Sequence, residues 1–212
     1  DNCGNLSVTG ISTLFSVAIP NVALNATSDT ICDGQSVTMS INPTTGFTYQ
    51  WSPGALPGNS ITVSPSTTTT YTVSATDPAG CVFTGDTTIE VIPIPVASFT
   101  ASPAQICPDG ITAVNFSGSS LPTATYSWNF DGGTVQSGTG GGPYQISWPT
   151  SGVKNVTLDI DQHGCTSTQS VVPVTVFDQP TATFFSDPDV CVNSRAKMAY
   201  LGNASAAANY SW

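Results

Sequence analysis

Three cysteines are each followed, at nearly the same distance, by an aromatic-x-tryptophan phrase, and this recurrence constrains the fold more than any other feature. The cysteine–tryptophan pairs, 19, 21 and 21 residues apart, are Cys32 and Trp51, Cys107 and Trp128, and Cys191 and Trp212. Self-similarity at a fixed period is the sequence signature of a tandem repeat protein. The chain is therefore predicted to contain successive copies of one structural unit.

A second series of cysteines follows a recurring turn sequence. Cys81 ends the segment DPAGC, Cys165 ends DQHGC, and Cys3 lies in a similar setting in DNCG. Successive cysteines are 75 and 84 residues apart in the first series and 78 and 84 in the second, which predicts units of about 80 residues. The predicted divisions are the end of one repeat at 1–20, complete repeats at 21–94 and 95–178, and the beginning of another at 179–212.

The six cysteines are predicted to form disulfides. The sequence has no CxxC pair and a single histidine, His163, whereas zinc sites need closely spaced cysteine and histidine ligands. Disulfides in turn indicate an oxidising, extracellular setting. The repeat favours one bond inside each unit. The predicted pairs are Cys32–Cys81 and Cys107–Cys165, with Cys3 and Cys191 bonded to cysteines outside this sequence, and the alternative is a Cys3–Cys191 bridge.

Composition and alternation predict an all-β chain. Charged residues make up only 8% of the sequence, whereas residues that favour strands, above all Val, Ile, Thr, Phe and Tyr, are plentiful. Apolar residues alternate with polar ones in 60–77 and in 153–161, and strands of this length between frequent turns are typical of a β-sandwich. Trp51, Trp128 and Trp212 are predicted to anchor the core between the two sheets of their units.

Two further features bear on ligand contact and on stiffness. Trp148 occupies no repeat position, so its indole and the ring of Tyr144 are predicted to contact a ligand at the surface. Prolines in 91–99 and 176–184 cannot donate to a sheet ladder, and they stiffen the connections between units. The array is therefore predicted to be a semi-rigid rod.

The sequence resembles two related kinds of Ig-like repeat. YSWNFDGG at 126–133, followed by SGVKNVTLDIDQHGC at 151–165, resembles the polycystic-kidney-disease (PKD) type domain, although Asn-Phe-Asp-Gly-Gly alters the usual Gly-Asp-Gly of its hallmark phrase. Residues 49–81 resemble the Ig-like repeats of very large secreted surface proteins of Bacteroidota, including gliding-motility adhesins exported by the type IX system. This resemblance implies tandem Ig-like and PKD-like β-sandwich domains with one disulfide each. It also implies O-glycans at Asp-Ser/Thr triplets, for which Thr30 and Thr87 are the candidates.

The charge excludes two classes of partner. The formal net charge is −10, and Lys154, Arg195 and Lys197 are the three basic residues. They form no stripe that neutralises phosphates, and the same deficit disfavours an anionic membrane surface. No apolar run is long enough to span a bilayer. Neither nucleic-acid binding nor membrane insertion is predicted.

Motifs for chemistry are sparse. Asp161 and His163 lie close together, but no Gly-x-Ser-x-Gly nucleophile turn accompanies them, so they are predicted to form a hairpin tip. The glycine-rich segment 137–143 lacks the Lys-Ser/Thr of a phosphate-binding loop. Asp159 and Asp161 supply the hard oxygen ligands that calcium prefers, which makes Ca²⁺ the one candidate ion. No enzyme activity and no other cofactor are predicted.

Three functions remain open from the sequence. The first is a non-catalytic structural or adhesive stalk segment of an extracellular or cell-surface repeat protein, with the neighbouring repeats as partners. The second is a carbohydrate-binding or enzyme-accessory module that stacks Trp148 and Tyr144 on a polysaccharide. The third is a fibre subunit that another copy completes by strand donation.

Overall fold

A computed structural model describes residues 23–42, 46–78, 80–204 and 208–209. Within this part of the chain, regular structure consists of nineteen β-strands and no helix, so the all-β prediction is confirmed. The predicted segment 1–20, Cys3 and Trp212 lie outside the described residues. Two compact units emerge, the first built on residues up to Pro95 together with Ser120–Ala124 and Asp161–Ser167, and the second on Val96–Ser119, Thr125–Ile160 and residues from Thr168 onward.

The first unit contains two sheets. The three-stranded sheet has the order β1 (Ala23–Ala26), β3 (Val37–Asn42), β6 (Ser60–Val63). The five-stranded sheet has the order β2 (Thr30–Cys32), β8 (Val82–Ile92), β7 (Thr69–Thr76), β4 (Thr48–Ser52), β5 (Leu56–Pro57). Neighbouring strands run antiparallel except β2 and β8, which are parallel.

Strict alternation along the strands produces the core of the first unit. In β7, Tyr71, Val73 and Ala75 are buried, whereas the hydroxyl-bearing residues that alternate with them face the other side of the sheet. On that outer side the hydroxyls of Thr70 and Thr88 lie 2.8 Å apart across β7 and β8. Trp51 is fully buried, and its Nε1 donates to the carbonyl oxygen of a glycine, Gly58, at 2.9 Å. The remaining large buried side chains of this core are Ile31, Val37, Met39, Ile41, Tyr49, Ile61 and Ile89.

The second unit has its own pair of sheets and a terminal hairpin. One sheet has the order β10 (Gln105–Ile106), β17 (Ser170–Val176), β15 (Gly152–Gln162), β12 (Thr125–Asn129). The last two residues of β15, Asp161 and Gln162, belong to the first unit, where they pair with β16 (Cys165–Thr166). The other sheet of the second unit has the order β13 (Thr134–Ser137), β14 (Tyr144–Ser147), β11 (Ile111–Phe116), β9 (Phe99–Ser102). The hairpin consists of β18 (Phe184–Ser186) and β19 (Met198–Tyr200).

Candidate functional site

The disulfides differ from the predicted pattern. Cys32 is bonded to Cys165 with 5.6 Å between the Cα atoms, and both residues belong to the first compact unit. Cys81 is also disulfide-bonded, whereas Cys107 and Cys191 are exposed free thiols. The Cys32–Cys81 and Cys107–Cys165 predictions are therefore wrong, as is one disulfide inside each repeat. The alternative Cys3–Cys191 bridge is wrong as well, because Cys191 is free.

The length of a strand explains why Cys32 cannot reach Cys81. Cys81 directly precedes β8, and Cys32 pairs with Ile92 at the other end of that strand. An extended strand rises about 3.3 Å per residue, so the 11 residues of β8 separate the two cysteines by roughly 35 Å. A disulfide needs Cα atoms within about 7 Å.

The same reason applies to Cys107 and Cys165. Cys107 follows Ile106, which pairs with Val176, the residue opposite the first position of β15. Cys165 pairs with Gln162, the last residue of β15. The two cysteines thus lie at opposite ends of another 11-residue strand.

Cys32, Cys107 and Cys191 each begin a turn of the same geometry; we call these four-residue segments, 32–35, 107–110 and 191–194, the cysteine turns. The carbonyl oxygen of each cysteine accepts a hydrogen bond from the backbone N–H of the third residue after it. These donors are Gln35 at 2.9 Å, Gly110 at 3.0 Å and Ser194 at 3.0 Å. The second residue after each cysteine has a left-handed backbone, with φ of 83° at Gly34, 61° at Asp109 and 71° at Asn193. Gly, Asp and Asn are the residues that tolerate this conformation best, which is why they occur there.

Cys81 and Cys165 end a different element, the cysteine hairpins, which we define as residues 77–81 and 161–165. The Oδ1 atom of Asp77 accepts from the backbone N–H of Cys81 at 2.9 Å, and Oδ1 of Asp161 accepts from the N–H of Gly164 at 3.4 Å. The aspartate of the Asp-x-x-Gly-Cys sequence therefore caps a turn. The two cysteines that end the hairpins are buried.

A buried glutamine holds the second cysteine hairpin within the first unit. Gln162 is 1% exposed, its Oε1 accepts from the backbone N–H of Leu121 at 2.9 Å, and its Nε2 donates to the carbonyl oxygen of Pro93. His163 is exposed, and its Nε2 lies 3.2 Å from the hydroxyl of Thr123. Asp161 and His163 thus contribute to hairpin structure. Sequence reasoning missed Gln162, because nothing distinguishes its amide from that of a surface glutamine at the end of a strand.

In the second unit Trp148 is a core residue, contrary to the prediction, and the predicted anchor Trp128 is less buried than Trp148. Trp148 is 1% exposed, and its Nε1 donates to the carbonyl oxygen of Phe130 at 2.7 Å. Trp128 is half-buried, and the centroid of its ring lies 4.9 Å from that of Phe99, 5.7 Å from that of Phe130 and 5.6 Å from that of Tyr144. The interior accepts the indole of Trp148 because Gly133 has no side chain: a Cβ there would lie 2.7 Å from its Nε1.

The predicted ligand contact is consequently wrong. Tyr144 is buried like Trp148, and its hydroxyl donates to the carbonyl oxygen of Gly140 at 2.9 Å. Neither ring is available for stacking on a sugar. Burial also raises the pKa of Tyr144, and it raises the pKa values of Tyr49 and Tyr71 in the first unit.

The candidate calcium ligands and glycan acceptors lie on strands. Oδ2 of Asp159 accepts from Nε2 of Gln169 at 2.7 Å, and no group of three or more His, Cys, Asp or Glu side chains suited to a metal occurs among the described residues. Thr30 and Thr87 are both half-buried. Thr87 lies two positions before buried Ile89 in β8 and therefore on the inner side of its sheet.

Paired sheets packed over a tryptophan, in which a short second strand runs parallel to the last strand, define an immunoglobulin-like β-sandwich protein. Residues 18–95 match the family model described as the Ig-like domain, CHU_C associated, so this part of the chain is similar to that family. The recognition of Ig-like repeats is thus confirmed.

Solved structures are similar to this chain at low sequence identity. Extracellular domains 3–5 of Drosophila OTK are 15% identical over 74% of this chain and 62% of that chain, with a TM-score of 0.50. An I-band fragment of titin is 14% identical over 87% of this chain and 76% of that chain, with a TM-score of 0.49. No curated protein sequence matches the chain. Among the described residues, no helix has the length and hydropathy needed to cross a membrane.

Proposed function

We propose that this chain is a non-catalytic spacer segment of a larger extracellular or cell-surface repeat protein, with its neighbouring repeats as its partners. The observation that carries the proposal is the Cys32–Cys165 bond, because its two cysteines come from successive sequence repeats. A bond of this kind resists separation of the repeats when the chain is pulled. Disulfides persist in oxidising compartments, which supports a location outside the cytoplasm.

The side chains that would serve catalysis have structural partners. Asp161 caps the second cysteine hairpin, and His163 contacts Thr123 beside it. The burial of Trp148 removes the feature on which a carbohydrate-binding function depended. The described residues form two buried cores and a surface with few charges, and both features suit a spacer.

Export by the type IX system, adhesion and O-glycosylation are parts of the same proposal. Thr30 is the better of the two glycan acceptors, because Thr87 shares the inner side of its sheet with Ile89. Intact-mass measurement of the natural protein, followed by a Thr30→Val variant that removes one glycan mass, tests the attachment. An unmodified Thr30 in the natural protein would contradict it.

The test of the spacer function is mechanical. The chain is stretched between its ends by single-molecule force spectroscopy, with and without a reductant. With the bond intact, the 133 residues between Cys32 and Cys165 are shielded from tension, so the final contour length is shorter by about 450 Å than in the reduced chain. Equal contour lengths in the two conditions would overturn the proposal. The Cys32→Ser/Cys165→Ser variant serves as control, because its contour length already includes these 133 residues and the change that reductant still causes comes from the disulfide of Cys81.

A further inference from the structure

Cys107 occupies the same structural position as Cys32. Both follow a buried isoleucine, Ile106 or Ile31, in a short strand that runs parallel to the last strand of its sandwich. Both begin a cysteine turn with a left-handed residue at the second following position. Cys32 is bonded to the cysteine of a cysteine hairpin, whereas Cys107 is an exposed free thiol.

Neither cysteine hairpin of this chain offers Cys107 a partner. Cys165 is bonded to Cys32, and Cys81 is disulfide-bonded as well. The partner of Cys32 is the hairpin cysteine of the sequence repeat that follows its own. By the same rule, the partner of Cys107 is the hairpin cysteine of the next repeat, which begins with β18 and contains Cys191.

We propose that Cys107 forms a second inter-repeat disulfide. Its partner is the cysteine of an Asp-x-x-Gly-Cys hairpin in the repeat that begins with β18. The inference rests on the proposed function, since it requires that this repeat be complete in the parent protein. From the repeat of Cys32 onward, successive repeats are then joined by the same turn-to-hairpin bond. Cys191 takes the equivalent role toward the repeat after that.

The bond forms by thiol–disulfide exchange with a low-molecular-weight disulfide. The Cys107 thiolate attacks one sulfur of the oxidant, forms a mixed disulfide and releases one thiol. The hairpin thiolate then attacks the Cys107 sulfur and releases the second thiol. Two protein thiols are thereby oxidised to one disulfide, and the oxidant is reduced to two thiols. Exposure of Cys107 gives the oxidant access to it.

The experiment uses the mature parent protein, blocked with N-ethylmaleimide and digested without reduction. Mass spectrometry is expected to find the Cys107 peptide linked to a peptide that contains Asp-x-x-Gly-Cys. A Cys107→Ser variant is expected to gain one reactive thiol per chain, on that hairpin cysteine. A Cys107 peptide that carries N-ethylmaleimide, or that is linked to Cys191 or to a second Cys107, would overturn the inference.

The same digest separates failure of this inference from failure of the proposed function. A Cys32–Cys165 link accompanied by an alkylated Cys107 refutes the second bond and leaves the spacer function standing. A mature protein that carries no hairpin cysteine after Cys191 refutes both. The Cys32→Ser variant is the matched control, because it is expected to release Cys165 in the way that Cys107→Ser releases its partner.

Discussion

Cys32 and Cys165 are joined by a disulfide although 133 residues separate them in sequence. Cys32 ends a strand that pairs with the last strand of the first sandwich, and Cys165 ends a hairpin that belongs to the same compact unit. In the chain-entropy model, a closed loop of this size stabilises the folded state by up to about 5 kcal/mol. The bond therefore contributes on the scale of the whole stability of an ordinary domain.

Removal of this bond is predicted to destabilise the protein strongly. The Cys32→Ser/Cys165→Ala variant is expected to lose about 3–5 kcal/mol of unfolding free energy, because its unfolded chain is no longer constrained by this bond. Urea denaturation followed by tryptophan fluorescence measures the loss. Cys107→Ser is the control and should change stability by less than about 0.5 kcal/mol, because an exposed free thiol makes little contribution. Equal stability of the double variant and the control would contradict the prediction.

Trp148 is predicted to contribute more to stability than Trp128. Trp148→Ala is expected to cost about 3–5 kcal/mol, since it leaves a large cavity and an unpaired carbonyl at Phe130. Trp128→Ala is the matched variant and should cost less, because that ring is half-buried. Urea denaturation of the two variants measures both losses of stability. A greater loss for Trp128→Ala would show that the repeat-position tryptophan is the core anchor after all.

Adjacent glycines are predicted to respond differently to substitution. Gly133→Ala places a Cβ 2.6 Å from Cγ2 of Ile146 and 2.7 Å from Nε1 of Trp148, so overpacking is expected to cost about 1–3 kcal/mol. Gly132 has φ of 76° and open space around it. Gly132→Asn should therefore be nearly neutral, since Asn tolerates the left-handed conformation. Thermal unfolding of both variants tests the contrast, and a tolerated Gly133→Ala would refute the packing described.

Stability is predicted to fall at high pH. Burial raises the pKa values of Tyr49, Tyr71 and Tyr144 above 10.0 in the folded state, so between pH 10 and those values the folded protein holds more protons than the unfolded chain. The stabilisation is fully present below pH 10 and is lost as the pH rises through the folded pKa values. Phenolate absorbance should thus appear at higher pH in native than in urea-unfolded protein. Superimposable titration curves would contradict the prediction.

The sequence was informative where structure is local. Alternation in 60–77 and 153–161 predicts strands that the structure contains. The repeated Asp-x-x-Gly-Cys segments predict turns, because the aspartate and the glycine that shape each turn lie within five residues of sequence. The disulfide partners depend on topology. Because β2 pairs with β8 in parallel, Cys32 lies beside the last residue of β8, whereas Cys81 precedes the first.

The burial of the tryptophans also depends on tertiary packing. The repeat made Trp128 the expected anchor, but Gly133, at the end of the phrase YSWNFDGG, leaves room in the interior for Trp148. Gln162 illustrates the same limit, since its two backbone partners lie 41 and 69 residues away in sequence. Long-range contacts of this kind leave no periodic trace.

Non-reducing peptide mapping of the 212-residue chain, expressed in an oxidising compartment, tests the turn-to-hairpin pairing most directly. Thiols are blocked before proteolysis so that no exchange occurs during digestion. We expect a cross-linked peptide that joins Cys32 to Cys165, with alkylated Cys107 and Cys191. A cross-link between Cys32 and Cys81, or between Cys107 and Cys165, would contradict it.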